Sequence, residues 1–306
     1  MRALVISGGG SKGAFGGGVA QYLLEDLGYS YDMFIGTSTG SLLISHLALG
    51  KAQKIKEVYT SVSQTAIFNN CPFITKEAKN GQEQIAINHF NVFKNFIKGK
   101  KTFGESLNLK KLIRNSLTQE EFNALKASNK DVIVTVSNLS LNDVEYKSLK
   151  DFSYDDFCDW IWISCNYVPF MSLVKKDGCE YADGGFGSMV PIKEAIDRGA
   201  KIVDVIVLET EVTYYNRMPS KNVFSLISNL HAFMIDRIEK QNITIGKFAA
   251  ANQDAIINLY YTPTVLTTNS LVFDKKKMGK WWESGLAYAK RKNKDSSEVK
   301  LGDQAE

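Results

Sequence analysis

The stretch YDMFIGTSTGSLLISHLAL, residues 31–49, indicates a strand, a sharp turn and a helix in immediate succession. YDMFIG has the short apolar run of a buried strand, and Ser41 to Leu49 has the apolar spacing of a helix that Gly50 ends. Between them, Gly36 to Gly40 has the form G-x-S-x-G, with Ser38 at its centre. The pattern fits a nucleophile on a strand-to-helix turn, and it fits a small residue in a tight turn equally well.

The residues before this stretch repeat the same order of elements. Ala3 to Ser7 is a short β-branched run that three glycines close, and the apolar residues from Gly13 to Leu27 recur at helical spacing up to Gly28. Strand, helix, strand, helix with short links predicts a parallel sheet covered on both faces. We therefore expect an α/β fold with three layers, α/β/α, around a mainly parallel central sheet.

The same alternation resumes in the second half of the chain. DVIVTVSNLS, residues 131–140, is a strong strand signal, and KKDGCEYADGG predicts a turn, a short strand and a glycine loop. We expect one domain over residues 1–292 and a polar, disordered tail over 293–306. Further strands are predicted at 143–149, 201–209 and 255–261, and further helices at 156–164, 191–196, 224–251 and 281–292.

Residues 51–130 lack this alternation, being polar and rich in lysine with scattered aromatic residues. We interpret them as a helical insertion and a candidate lid. Within it, FKNFIKGKK, residues 93–101, mixes apolar and basic side chains in a way that suits an anionic lipid surface. A solvated helix end followed by a glycine turn is the simpler explanation of the same residues.

The composition excludes several classes of protein. A net charge of +4 over 306 residues is far below that of a dedicated nucleic-acid domain. Four scattered cysteines without a C-x-x-C pair indicate reduced thiols and neither a zinc site nor a redox motif. No apolar run approaches the ~20 residues of a membrane span, and the first seven residues are too short for a signal peptide. We expect a cytoplasmic protein, with a peripheral membrane location and signal-independent export left open.

A nucleophilic serine needs a base, and none of the three histidines is well placed. His46 lies two turns along the helix after Ser38, His89 falls in the polar insertion, and His231 lies inside a long predicted helix. A Ser-His-Asp triad is therefore improbable. Asp183 in YADGG is the alternative, because two following glycines let its loop approach other backbone closely. An aspartate at a glycine turn is also an ordinary turn former.

The stretch GGGSKG, residues 8–13, lies between the first strand and the first helix. A glycine-rich loop at a helix N-terminus presents N–H groups to an anion, as a phosphate cradle or an oxyanion hole does. It matches neither the dinucleotide fingerprint nor the Walker loop. A tight structural connection explains it too.

Together, GGGSKG, GTSTG and DGG resemble the patatin-like phospholipases, in which such motifs occur in this order. SCNYVPFMSLV (164–174) and VPIKEAIDRGA (190–200) are also similar to that family, so the resemblance covers about residues 1–50 and 130–210. It implies a patatin-like fold and a Ser-Asp dyad that needs no metal or cofactor, with Ser38 as nucleophile and Asp183 as general base. The implied oxyanion loop consists of Gly8, Gly9, Gly10, Ser11, Lys12 and Gly13. The glycines implied to support the elbow and the Asp loop are Gly36, Gly40, Gly184 and Gly185.

The resemblance implies a lipid acyl hydrolase acting on phospholipids or lysophospholipids through an acyl-serine. A neutral-lipid esterase or an acyltransferase is an alternative, since the same intermediate can pass its acyl group to another acceptor. The long insertion motivates an alternative of another class, a lipid-binding or partner-activated protein with low activity alone. We expect a lipid substrate, transient contact with a membrane surface and no nucleic-acid partner, while a protein activator and the oligomeric state stay open.

Overall fold

A computed structural model describes residues 1–77, 83–212, 220 and 222–302. Its main sheet has eight strands in the order β10-β9-β1-β2-β5-β8-β7, with β6 paired to the other side of β5. The strands are β1 Arg2–Ile6, β2 Met33–Thr37, β3 Phe73–Glu77, β4 Glu83–Ile87, β5 Asp131–Asn138, β6 Asp143–Ser148, β7 Val174–Lys176, β8 Cys179–Asp183, β9 Ile202–Val207 and β10 Ile256–Tyr261. The five strands from β10 to β5 are parallel, which confirms the mainly parallel sheet.

Helices cover both faces of this sheet. They are α1 Gly13–Gln21, α2 Thr39–Ala48, α3 Ala52–Thr60, α4 Gln64–Ile67, α5 His89–Ile97, α6 Leu107–Ser116, α7 Gln119–Ala127, α8 Tyr154–Ser164, α9 Ile192–Asp197, α10 Val223–Asn252 and α11 Lys275–Gly302. Successive side chains of a strand point to opposite faces. Leu4 and Ile6 of β1 accordingly join the core under α1, α2, α8 and α11, while Ala3 and Val5 join the core under α9 and α10. The three-layer α/β/α fold is therefore confirmed.

Strand β5 determines which loops meet at the centre of the sheet. Its first part pairs with β2 in parallel, where Thr37 lies opposite Thr135. Its last part pairs with β8 antiparallel, where Asp183 lies opposite Val136. Because Thr135 and Val136 are consecutive, the carboxyl ends of β2 and β8 meet end to end on one side of β5.

The insertion differs from the expectation of an all-helical segment. It contains α3 to α7, but β3 and β4 form a separate two-stranded antiparallel sheet within it. EQIAI places Ile85 and Ile87 at alternate positions, a pattern that favours strands, and FITKE contributes the adjacent β-branched residues Ile74 and Thr75. The lysines and polar residues around them hid this short alternation.

The C-terminal helix also differs from the expectation. α11 starts at Lys275 and extends to Gly302, so it includes most of the tail that we expected to be disordered, and residues 303–306 lie outside the described part of the chain. Trp282 of α11 is fully buried against α1, where it lies next to Gly17. Packing of this kind establishes the helix, and elongation then adds one hydrogen bond per residue, which the tail's composition alone did not indicate.

In the part of the chain that the structure describes, no helix is both long and apolar enough to cross a membrane. All four cysteines are free thiols; Cys158 and Cys165 are buried, and Cys71 and Cys179 are half-buried.

Candidate active site

Ser38 occupies a strained turn between β2 and α2. Its φ of 52° and ψ of −120° lie in a region that residues with a side chain seldom adopt. The chain crowds itself on both sides of this turn. A β-carbon on Gly36 would lie 2.4 Å from the carbonyl carbon of Gly40, and one on Gly40 would lie 2.2 Å from the carbonyl oxygen of Ile6. The two glycines of G-x-S-x-G are therefore needed for space.

The end of α8 holds this turn in place through polar contacts. The N–H of Ser38 donates to Oγ of Ser164 at 2.9 Å, and the hydroxyls of Ser164 and Ser41 are also 2.9 Å apart. Ser41 Oγ donates to the carbonyl of Gly36 at 2.8 Å, and the thiol of Cys165 donates to the carbonyl of Ser38 at 3.1 Å. Since the N–H of Ser38 is already bonded, an oxyanion would have to find its donors elsewhere.

Asp183, at the end of β8, lies directly beside Ser38. Ser38 Oγ donates to Oδ2 of Asp183 at 2.6 Å, and the N–H of Gly185 donates to Oδ1 at 2.8 Å. The N–H of Asp183 itself donates to the carbonyl of Asn166 at 2.9 Å, which fixes the strand end. Asp183 is only 3% exposed, whereas Ser38 is half-buried between fully buried neighbours. The structure thus brings together the two residues that the sequence singled out, 145 positions apart.

The surroundings of Asp183 favour its protonated form. Burial raises the pKa of this carboxyl to about 7, although the hydrogen bonds from Ser38 and Gly185 oppose the rise. A carboxylate with such a pKa is a far better proton acceptor near neutral pH than an exposed aspartate. Its second oxygen is held by Gly185, so the first stays aligned with Ser38 Oγ.

The glycine-rich loop after β1 lies against the same serine. A β-carbon on Gly8 would lie 3.1 Å from the Ser38 β-carbon. The N–H of Gly8 donates to the carbonyl of Met189 at 3.3 Å. The N–H groups of Gly9 and Gly10 have no acceptor among the residues that the structure describes. Of the predicted oxyanion donors, these two are therefore free.

Ser11 and Lys12 do not face the pair of Ser38 and Asp183. Lys12 forms an ion pair with Glu209, the residue two positions beyond β9. Ser11 donates its N–H to the carbonyl of Ser270 at 2.8 Å, and its buried hydroxyl has no partner among the described residues. Both residues anchor the loop to neighbouring segments.

Tyr59 of α3 ties the loop to the turn. Its hydroxyl donates to the carbonyl of Gly10 at 2.6 Å and makes a short hydrogen bond with the hydroxyl of Thr39, the first residue of α2. Gly13, which starts α1, passes so close that a β-carbon there would lie 2.4 Å from both hydroxyl oxygens. This three-way contact sets the distance between the loop and the helix that follows Ser38.

Comparison with known proteins identifies the family of this chain. The family model described as patatin-like phospholipase matches residues 4–196, more than half of the chain. This chain belongs to the patatin-like phospholipase family. Membership supports lipid acyl hydrolase activity in general, and it confirms the family resemblance of the three motifs.

The structure of VipD from Legionella pneumophila is similar to this patatin-like chain, with 14% sequence identity and a TM-score of 0.49. The alignment covers 95% of this chain and 66% of the VipD chain, so this chain spans just under two thirds of VipD. A search of curated proteins found no significant match.

None of the three histidines bonds to Ser38 or Asp183 within the described part of this patatin-like chain. His46 is buried, its pKa is lowered by burial, and its Nε2 lies 3.0 Å from the carbonyl of Ser116. His89 is exposed and its ring lies 5.8 Å from that of Phe224. The absence of a triad histidine, argued from the sequence, agrees with this arrangement.

Aromatic rings surround the third histidine next to the loop that follows Asp183. The ring of Phe186, three residues after Asp183, stacks on Tyr167 at 5.2 Å. The His231 ring from α10 lies 5.7 Å from Tyr167 and 5.8 Å from Phe186, and burial lowers its pKa. A neutral imidazole among aromatic rings extends the apolar surroundings of the site.

The sequence analysis did not identify the residues that hold Ser38 and Asp183 in position. Ser164, Cys165 and Asn166 bond to Ser38 or Asp183, and all three lie in SCNYVPFMSLV, a segment that the family resemblance had already marked. The marker was present, but the atoms that each residue contacts follow from the tertiary fold. Tyr59 had no marker, because the sequence analysis recognised no family motif in residues 51–130, although the match to the family model runs through them.

Proposed function

We propose that this chain is a lipid acyl hydrolase that cleaves fatty acyl esters of phospholipids or lysophospholipids with a Ser38–Asp183 dyad. The 2.6 Å hydrogen bond from Ser38 Oγ to a buried Asp183 Oδ2, in a chain of the patatin-like family, carries the proposal. The rings of Tyr167 and Phe186 beside the dyad support an apolar acyl chain as the group bound there.

In the first half of the reaction, Asp183 Oδ2 takes the proton from Ser38 Oγ as that oxygen attacks the ester carbonyl. The negative charge that develops on the carbonyl oxygen is stabilised by N–H donors of the glycine loop. The N–H groups of Gly9 and Gly10 can serve as these donors, because they have no acceptor among the described residues. The positive end of the α2 dipole, which starts one residue after Ser38, adds to this stabilisation.

In the second half, protonated Asp183 donates to the departing alcohol, and Ser38 keeps the acyl group as an ester. Water then attacks this ester while Asp183 again accepts a proton, which releases the fatty acid and restores the free serine. Gly185 supports both halves, because its N–H holds Oδ1 of Asp183 at 2.8 Å whichever way the proton moves.

The test of this proposal combines a fluorophosphonate probe with a panel of substrates. We expect the probe to label Ser38, located by peptide mass spectrometry, because the pair presents an activated and half-buried hydroxyl. Fatty-acid release is expected from phosphatidylcholine or lysophosphatidylcholine. Release from triacylglycerol alone would favour a neutral-lipid esterase, and acyl transfer to an added alcohol or thiol would favour an acyltransferase. Absence of labelling at Ser38 in the isolated chain would favour the partner-activated alternative.

The pH profile should report the carboxyl group. Because only ionised Asp183 accepts the serine proton and its pKa is raised to about 7, kcat/KM should rise with pH up to that point and level off above it. Below it, kcat/KM should fall about tenfold per pH unit. Hydrolysis of a soluble short-chain ester between about pH 5 and pH 9 measures this. A flat profile, or one centred on the ordinary pKa of an exposed aspartate, would contradict the assignment.

A further inference from the structure

Helix α5, in the insertion, presents large apolar side chains to solvent. Phe90 is 75% exposed, Phe93 63% and Ile97 71%. Their spacing of three and four residues puts them along one side of the helix. Val92, in contrast, points inward and is buried, so the helix is anchored while its outer side stays apolar and uncovered.

The first half of α10 shows the same arrangement. Val223, Leu226, Leu230 and Phe233 are all exposed, and steps of three, four and three residues align them on one side. On another side of this half, the half-buried His231 packs on the rings of Tyr167 and Phe186. This half of α10 is therefore apolar on its inner and its outer side.

The two helices are neighbours, linked through aromatic rings. Phe224 at the start of α10 lies 5.8 Å from His89 at the start of α5, measured between ring centroids. Phe224 also lies 5.2 Å from Phe103, which in turn lies 6.1 Å from Phe96 of α5. We use the term apolar rim for the exposed side chains of both helices, which are Phe90, Phe93, Ile97, Leu226, Leu230 and Phe233.

Further ring contacts link the two helices that carry the apolar rim to the loop that follows Asp183. From Phe103 the chain of rings continues to Phe170 at 5.7 Å, to Tyr167 at 6.2 Å and to Phe186 at 5.2 Å. Phe186 follows Asp183 by three residues. The helices that carry the apolar rim are therefore in ring-to-ring contact with the segment that contains Asp183.

The charges on the α5 side of the apolar rim are positive. Residues 88–101 contain four lysines and no acidic residue. Lys94 and Lys98 are exposed, and neither forms an ion pair with any described residue. Lys100 and Lys101 pair with Glu105 and Glu180 across an exposed surface, where such pairs are weak and open readily near other anions.

We propose that the apolar rim docks the protein on an anionic phospholipid surface, with Lys94 and Lys98 facing the head groups. Exposed helices that carry aromatic and aliphatic side chains next to unpaired lysines have the composition of helices that lie in a membrane interface. The inference deepens the proposed function, since docking here would bring a lipid acyl ester to the mouth of the site.

Vesicle co-sedimentation of the full chain carrying Ser38→Ala tests the inference, because binding is then measured without hydrolysis. The vesicles are phosphatidylcholine with or without about 30% phosphatidylserine. We expect binding to the anionic vesicles, weakened at about 0.5 M NaCl through screening. Phe93→Ser combined with Phe233→Ser should lower the partition coefficient about tenfold or more, as apolar area is lost from the contact. Lys98→Gln should lower it about fivefold.

Two control variants make the same kinds of change at the amino ends of β9 and β10, the strand ends away from Ser38. Ile256, at the start of β10, is 60% exposed, and Lys201 precedes β9. Ile256→Ser and Lys201→Gln should bind vesicles as the parent chain does. Thermal unfolding of each variant establishes that the fold is retained.

Three results would overturn the inference. The first is that the parent chain does not bind anionic vesicles at low salt. The second is that vesicle binding is unchanged in the Phe93→Ser, Phe233→Ser double variant. The third is that the parent chain self-associates in ultracentrifugation and that this double change abolishes the self-association. The last would make a second copy of the chain the occupant of the apolar rim. Since hydrolysis does not enter the measurement, failure of docking and failure of the Ser38–Asp183 assignment are distinguishable.

Discussion

Ser38→Ala is expected to abolish fatty-acid release, with a loss on the order of 10⁶ in kcat if the acyl-serine is on the pathway. Alanine removes the attacking oxygen but keeps the β-carbon, so the strain at φ 52° is unchanged. The N–H of residue 38 can still donate to Ser164. The variant should therefore fold as the parent chain does, and the loss should be chemical. Fatty-acid release over the substrate panel measures it.

Ser45→Ala is the matched control for this change. Ser45 lies on the same helix, α2, and its buried hydroxyl has no partner among the described residues. Its removal should leave kcat within about twofold of the parent value, because no hydrogen bond is lost. Ser38 would be excluded as the nucleophile if the Ser38→Ala variant released fatty acid at the parent rate. It would also be excluded if the fluorophosphonate probe labelled another serine of that variant.

Asp183→Asn is expected to lower kcat about 10⁴-fold and at the same time to stabilise the fold above neutral pH. An amide can accept the Gly185 N–H and donate to Ser38 Oγ, but it takes no proton. The stability gain follows from the raised pKa. Between the ordinary value of 3.8 and the folded value of about 7, the folded chain retains a proton that the unfolded chain has lost.

The free energy of unfolding of the parent chain therefore falls as the pH rises through this interval. The loss amounts to about 4 kcal/mol by about pH 8, and Asp183→Asn should recover up to that amount. Near pH 4 the two chains should be equally stable, because the carboxyl is protonated in the folded state. Denaturant unfolding at the two pH values gives the comparison.

Asp151→Asn, at an exposed aspartate, is the control for charge removal alone. It should change neither the activity nor the pH dependence of stability by a measurable amount. If Asp183→Asn and the parent chain differed in free energy of unfolding by the same amount at both pH values, the buried carboxylate would be excluded as the cause of the difference. Retained activity in Asp183→Asn would exclude Asp183 as the base.

Most of the fold could be predicted from short-range patterns in the sequence. Strands β1, β2, β5 and β9 and the helices between them were predictable, because a buried parallel sheet needs short β-branched runs and its helices need apolar residues at helical spacing. The antiparallel pair of β3 and β4 was missed, since its alternation is short and surrounded by polar residues. The length of α11 was missed as well, because Trp282 secures that helix through contacts with α1 that no local pattern records.

The turn at Ser38 was determined partly within its own stretch, because a β-carbon on Gly36 would lie against Gly40, whereas the space at Gly40 is limited by the carbonyl of Ile6 in β1. The residue that pairs with Ser38 was not determined locally at all. Nothing near Ser38 in the chain specifies that Asp183, 145 residues away, will lie 2.6 Å from its hydroxyl. That distance arises because β2 and β8 end against consecutive residues of β5. The pKa of about 7 arises because the carboxyl is then buried, and burial is a property of the packed fold.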